Sequence, residues 1–229
     1  MKKVRVCLIG SKGRMGQTIL DLAKNDSNID IVAQCDLGDG IDAAIKECDV
    51  AIDFSNAGAI DEVCRAASKN GKALVIGTTG HSPEQRELIE RTAKSLSIVL
   101  ASNFSVGVNA LFALTRRAAK VLGSGFKPEI VETHHTKKKD APSGTAKTLG
   151  EILKQELKVE APIESIREGD VVGDHTVTFV GPAERLELTH RAGSREIFGS
   201  GALRAANWLV GKSPGLYSMQ DVLGISAAK

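Results

Sequence analysis

Aromatic side chains are scarce in this chain: one tryptophan, one tyrosine and six phenylalanines make up 3% of its 229 residues. That leaves few platforms on which bases could stack, and 30 basic against 28 acidic residues give a net charge of only +2, no general attraction for a polyanion. Nucleic acid is therefore not an expected partner. Long apolar runs are missing too. The stretch after Lys2 and Lys3 is interrupted by Arg5 and closes on Gly10, which reads as a first strand and neither a signal peptide nor a membrane span. Cys7, Cys35, Cys48 and Cys64 contain no C-x-x-C pair. They fit small core hydrophobes better than a metal or redox site, no metal is expected, and a reducing cytoplasmic compartment follows as the simplest setting.

What is present is a regular alternation. With 42% apolar residues the chain can bury one large core or two small ones. Short apolar runs at 4–9, 29–35, 50–54, 73–76 and 98–101 read as strands, with helical patterns between them at 15–24, 59–69 and 83–95. The last of these opens on Ser82, Pro83 and Gln85, a capping box with proline at the first helical position. This rhythm predicts an α/β fold with a Rossmann-like, doubly wound parallel sheet. After a helix at 108–122 the pattern changes to longer alternating strands at 129–134, 163–168, 175–180 and 185–191, separated by one helix at 145–157. A smaller α+β domain is expected over 105–194. Residues 1–104 and 195–229 then form the dinucleotide-binding domain, with a helix at 196–210 returning the chain to it.

The loop Gly10, Ser11, Lys12, Gly13, Arg14, Met15, Gly16 lies where the first strand turns into the first helix. Strand, glycine turn and helix in that order suit a pyrophosphate, because glycines allow close backbone approach and the helix start offers N–H groups and a positive dipole. The pattern is G-x-x-G-x-x-G, a variant of the commoner fingerprint. Asp36 closes the second strand twenty residues after Gly16, where a carboxylate can accept from ribose hydroxyls. Two further loops, Gly77-Thr78-Thr79-Gly80 and Ser102-Asn103-Phe104-Ser105-Val106-Gly107, follow the fourth and fifth strands at the carboxyl end of the sheet. Each alone is equally a turn; beside the glycine loop they read as the nicotinamide end of a cofactor site.

The densest chemistry lies at Glu132-Thr133-His134-His135-Thr136-Lys137-Lys138-Lys139-Asp140, followed by Ala141-Pro142-Ser143-Gly144-Thr145. Two imidazoles and three ammonium groups precede a helix start whose first-turn N–H groups face the same loop, which describes an anion site with a proton donor. On composition alone a solvated basic loop is an equal reading.

The block H-H-x-x-K-x-D-A-P-S-G-T, together with Gly10 to Gly16, Asp53-Phe54-Ser55, Gly77 to Gly80, Asn103 to Asn109 and the stretch from His190 to Leu223, resembles the dihydrodipicolinate (4-hydroxy-tetrahydrodipicolinate) reductases of the diaminopimelate route to lysine. The resemblance covers nearly the whole chain. It implies hydride transfer from NADH or NADPH to a small cyclic imine dicarboxylate, with His134 as proton donor and Lys138 as a substrate-fixing cation. His135, Lys138, Ser143, Gly144 and Thr145 would hold the carboxylates, and Phe54, Gly77, Thr78, Thr79, Ser102, Asn103 and Phe104 would join the glycine loop and Asp36 around the cofactor. It also implies a homotetramer built through the second-domain sheets. The chain departs from some relatives at Leu37 and Asn56, where they carry arginine, and is shorter between Cys35 and Asp49. Asp36 repels a 2′-phosphate that Lys12 can reach, so both cofactors are expected to serve, with NADH preferred. Two other classes share the glycine loop: an amino-acid or semialdehyde dehydrogenase, and a non-enzymatic NAD(P)-sensing module. Neither requires the histidine block.

Overall fold

A computed structural model describes residues 3–36 and 38–225 of the chain, so Leu37 lies outside the described residues. The chain divides into two compact units: Met1–Ser105 with Glu196–Gly224, and a second formed mainly by Val106–Arg195.

The first unit runs β1 (Val4–Ile9), α1 (Arg14–Ala23), β2 (Ile29–Cys35), α2 (Ile41–Lys46), β3 (Val50–Asp53), α3 (Ile60–Asn70), β4 (Ala73–Ile76), α4 (Pro83–Thr92) and β5 (Ser97–Leu100). Every strand pairing in its six-stranded sheet is parallel, and the order places β1 between β2 and β3. The chain thus winds outward in both directions from β1, and the crevice where the order reverses is where open α/β sheets bind ligands. The period-two pattern explains the two cores. Val4, Val6 and Leu8 face one layer with Ile19, Ala202 and Ala206, while Cys7 and Ile9 face the other with Ile60, Val63 and Ile89. All four cysteines are free and buried, and all four pack in that second layer. Burial pushes the thiols of Cys48 and Cys64 up to about 11, so they behave as hydrophobes at neutral pH.

The second unit holds α5 (Val106–Leu122), β6 (Lys127–His134), α6 (Gly144–Leu157), β7 (Ile163–Arg167), β8 (Asp174–Val180) and β9 (Arg185–Arg191). Its four strands lie in the order β7-β6-β8-β9, antiparallel except for the β6–β7 pair. Ile130, Val177 and Phe179 point to one face, under Val108, Phe112, Leu149 and Leu153 of α5 and α6. Val131, Thr133, Ile166, Thr176 and Thr189 occupy the opposite register positions, and Ile166 is 37% exposed there.

The chain returns to the first unit through α7 (Glu196–Leu209), β10 (Gly215–Tyr217) and α8 (Met219–Leu223). The helix at α7 matches the periodicity, but β10, α8 and α2 do not emerge from it. Each has six residues or fewer, too short for one turn of pattern to repeat. β10 exists because its backbone extends the parallel sheet beyond β5. The short crossover between Cys35 and Asp49 carries α2, whose Ile41 and Ile45 are buried.

Candidate active site

At the carboxyl end of β1, the glycine loop closes against the loop after β3. Gly10 has φ +83°, and a Cβ there would lie 2.5 Å from the carbonyl oxygen of Phe54. A side chain at Gly16 would strike the carbonyl of Gly10. Backbone therefore packs on backbone, and the first turn of α1 carries no side-chain cap and no acidic residue. Its N–H groups and dipole end suit an anion. Lys12, Gly13 and Arg14 are exposed, Met15 is half-buried and Ser11 is buried. The carboxylate of Asp36 accepts from the Ser11 hydroxyl at 2.7 Å and from the Lys12 N–H at 2.9 Å, so the loop itself holds it in place.

The other two loops are placed unequally. Phe54 packs on Phe104, ring centroids 5.6 Å apart, and a side chain at Gly77 would run into the Phe54 ring. Phe104 and Thr78 are buried, Asn103 is half-buried and its Oδ1 accepts from the Ser105 N–H, and Thr79 and Ser102 are exposed. Asp53 ties the loops together: its carbonyl accepts from the N–H groups of Gly77 and Thr78, and its carboxylate from the Ser55 N–H and hydroxyl. Burial raises the Asp53 carboxyl above its usual range, against the pull of those donors.

The second unit collects the histidine block. Alternation along β6 turns Glu132 and His134 to the helix-covered face, and the β6–β8 register sets His175 opposite Glu132. Glu132 has no exposed surface, while His134 and His175 are 7% and 3% exposed. One Glu132 oxygen accepts from the Ser143 N–H and from Arg167, both at 3.1 Å. The other lies 2.5 Å from Nδ1 of His134, off the line of a hydrogen bond. Burial opposes the charge on Glu132, yet the surrounding Ser165, Arg167 and Ser143 donors outweigh it and hold the carboxyl below its usual value. Burial lowers the His134 pKa; Glu132 opposes this while Lys138 and Arg167 add to it. His175 is pushed down to about 4, by burial first and then by His134. Its ring meets that of His134 edge-on, with centroids 5.1 Å apart.

Ser143 caps α6 by accepting the Ala146 N–H, and its hydroxyl also meets Nε2 of His175 at 3.2 Å. It is buried with both polar groups in use, and Gly144 and Thr145 are the more open residues at that helix end. Lys138 pairs with Asp140 at 2.8 Å and is 21% exposed; Lys137 and Lys139 are exposed. His135 is half-buried, its N–H donating to the Val171 carbonyl. The structure thus gathers His134, Lys138 and the start of α6 around residues that motif reading passed over: Glu132, Arg167 and His175. Their signal was present in the strand pattern, since a glutamate on the apolar face of a strand requires partners.

Among the described residues, Glu132, His134 and His175 offer ligand atoms within 4.8 Å of one another. Two ligands about 2.0–2.2 Å from a tetrahedral zinc stand roughly 3.4 Å apart. Here Glu132 Oε2 and His134 Nδ1 are closer than that, and Arg167 already balances the carboxylate. The cluster is better suited to holding a proton than a metal. No described helix is long and apolar enough to cross a membrane.

Two family models match: "Dihydrodipicolinate reductase, N-terminus" over residues 4–104, and its C-terminal counterpart over 107–223. A 4-hydroxy-tetrahydrodipicolinate reductase of Akkermansia muciniphila is 46% identical, the match covering 97% of this chain and 99% of the relative. One from Methanoculleus marisnigri is 45% identical, over 97% and 100%. Among solved structures, the dipicolinate-bound dihydrodipicolinate reductase of Paenisporosarcina sp. TG-14 shares the fold with a TM-score of 0.85 at 24% identity, covering 96% of this chain and 98% of that one. Through both of its units, then, this chain belongs to the dihydrodipicolinate reductase family.

Proposed function

We propose that the chain reduces 4-hydroxy-tetrahydrodipicolinate to tetrahydrodipicolinate with NADH or NADPH, the 4-hydroxyl leaving as water to give the conjugated ring that accepts the hydride, on the diaminopimelate route to lysine in the cytoplasm. The observation that carries this reading is the placement of His134: a buried imidazole backed by Glu132, on the strand that leads through Lys138 to the capped start of α6. Few reactions need a proton donor and a two-carboxylate anchor in one short segment. The first unit is the cofactor domain, in which the glycine loop would hold the pyrophosphate and Asp36 the adenine ribose. The nicotinamide, when bound, supplies the hydride. The second unit is the substrate domain, where Lys138 and the N–H groups at Gly144 and Thr145 fix the carboxylates, with His135 alongside. Hydride arrival puts negative charge into the conjugated ring, and His134 neutralises it by donating a proton. Ser143 acts by shaping α6.

The uncovered face of the second-unit sheet supports a homotetramer formed by sheet pairing. Ile166 and Val131 lie on it between threonines, an apolar strip that a second sheet would cover. The reading is tested with substrate made in situ from pyruvate and aspartate semialdehyde by the preceding synthase, following reduced cofactor. Oxidation that depends on both precursors is expected; none, in folded protein, rejects the assignment.

A further inference from the structure

We infer that Glu132 is a positioning residue: it anchors the Nδ1 side of His134, so that Nε2 is the nitrogen that exchanges the proton, and it ties that imidazole to the start of α6. The inference rests on the proposed role of His134 and goes beyond it by assigning the residues that act through it.

The geometry is specific. Glu132 lies two residues before His134 on one strand face, with no exposed surface, and its two oxygens are divided between different tasks. Oε2 touches His134 Nδ1, while Oε1 receives the Ser143 N–H and the Arg167 guanidinium. Arg167 also donates to the carbonyl of Asp140, partner of Lys138. One buried carboxylate therefore connects the imidazole, the N-cap of α6 and the lysine loop. A buried charge with this many donors is held ionised, as the lowered Glu132 pKa reflects. The opposite edge of the imidazole is left open in a particular way. A Cβ at Gly173 would stand 2.9 Å from His134 Nε2, so the residue that borders this nitrogen has no side chain to cover it.

Two consequences separate this role from a purely structural one. An anionic neighbour at Nδ1 favours the Nδ1–H tautomer and the protonated ring, whereas a neutral one favours neither. The groups facing His134 are Glu132, Lys138, Arg167 and His175; the last three carry positive charge or none, so Glu132 is the group that holds the proton on.

The test is Glu132→Gln, which keeps shape and most hydrogen bonds. Its turnover is expected to fall at least about tenfold near neutral pH, part of the 10²–10⁴ that a positioned acid supplies, with KM for NADH unchanged. The pH at which turnover declines should move downward, so that acidification restores part of the loss. Independently of activity, NMR titration of ¹⁵N-histidine-labelled protein should show a lower His134 pKa and loss of the Nδ1–H tautomer. An unchanged tautomer and pKa overturn the inference even if the chain proves to act on another substrate. Should Glu132→Gln not fold, Gly173→Ala carries the test: full turnover in that variant would mean that Nε2 is not the exchanging atom. Wild-type turnover in His134→Gln would instead reject the role of His134, a separate failure.

Discussion

Asp36 and Ser11 are joined by a 2.7 Å hydrogen bond across the mouth of the glycine loop, the Ser11 hydroxyl donating to the same carboxylate oxygen that takes the Lys12 N–H. In the proposed cofactor domain, a carboxylate fixed in this manner would keep its other oxygen for a ribose and set its charge against a 2′-phosphate. Asp36→Ala should weaken NADH and relieve repulsion of NADPH. A charge-assisted hydrogen bond contributes about 1.5–3 kcal/mol, so the ratio of kcat/KM for the two cofactors should move about tenfold or more towards NADPH. The exposed Lys12 side chain should matter for NADPH alone. If Lys12→Ala weakens both cofactors equally, it serves the shared pyrophosphate.

His134→Gln and Lys138→Ala are each expected to lower turnover about 10²-fold or more, in line with the contribution of a positioned acid, while cofactor affinity, measured by titration, stays nearly constant. Either variant turning over normally at saturating substrate would take that residue out of the mechanism.

The start of α6 and Lys138 together predict a requirement for two carboxylates. Pyridine-2,6-dicarboxylate should compete with substrate, and pyridine-2-carboxylate should bind at least about tenfold more weakly, as expected from one lost charge-assisted contact. Equal inhibition constants would contradict the two-carboxylate pocket.

Stability should decline with acid in a defined window. The buried His175 takes up its proton near pH 4 in the folded chain but near 6.5 when unfolded. Between those values the unfolded state binds more protons, so stability is full above about pH 6.5 and is lost as pH falls towards 4, by on the order of 3 kcal/mol. His134 and His190, also lowered by burial, act in the same direction. Denaturant midpoints measured from pH 7 to pH 4 should show this slope, and His175→Gln should flatten it; an unchanged slope would place the effect elsewhere.

Ile166→Lys places a charge on the uncovered sheet face. If sheets pair there, sedimentation should show smaller assemblies than the wild type, with the folded content unchanged by circular dichroism. A wild-type chain that is monomeric throughout the micromolar range would reject the tetramer.

Much of this molecule is local information. The parallel strands of the first unit are apolar runs bounded by glycine and polar turns, and such runs are legible because a buried strand needs nothing from distant residues to be apolar. The capping box at Ser82 and Gln85 and the cap at Ser143 are complete within four residues. The glycine loop and the histidine block are also contiguous, so the groups available in each stand side by side in the sequence. Tertiary structure alone decided what stands behind them. β10 is three residues long and is a strand only because β5 offers it an edge. Phe104 becomes a support for Phe54, and Ser143 a fully occupied cap, only once the chain has folded around them. Glu132 meets Arg167 and His175 from strands 35 and 43 residues further on, brought into register by the β6–β7 and β6–β8 pairings. A motif states which groups are available; the cost of burying a charge determines which of them must meet, and only the folded sheet brings them within reach.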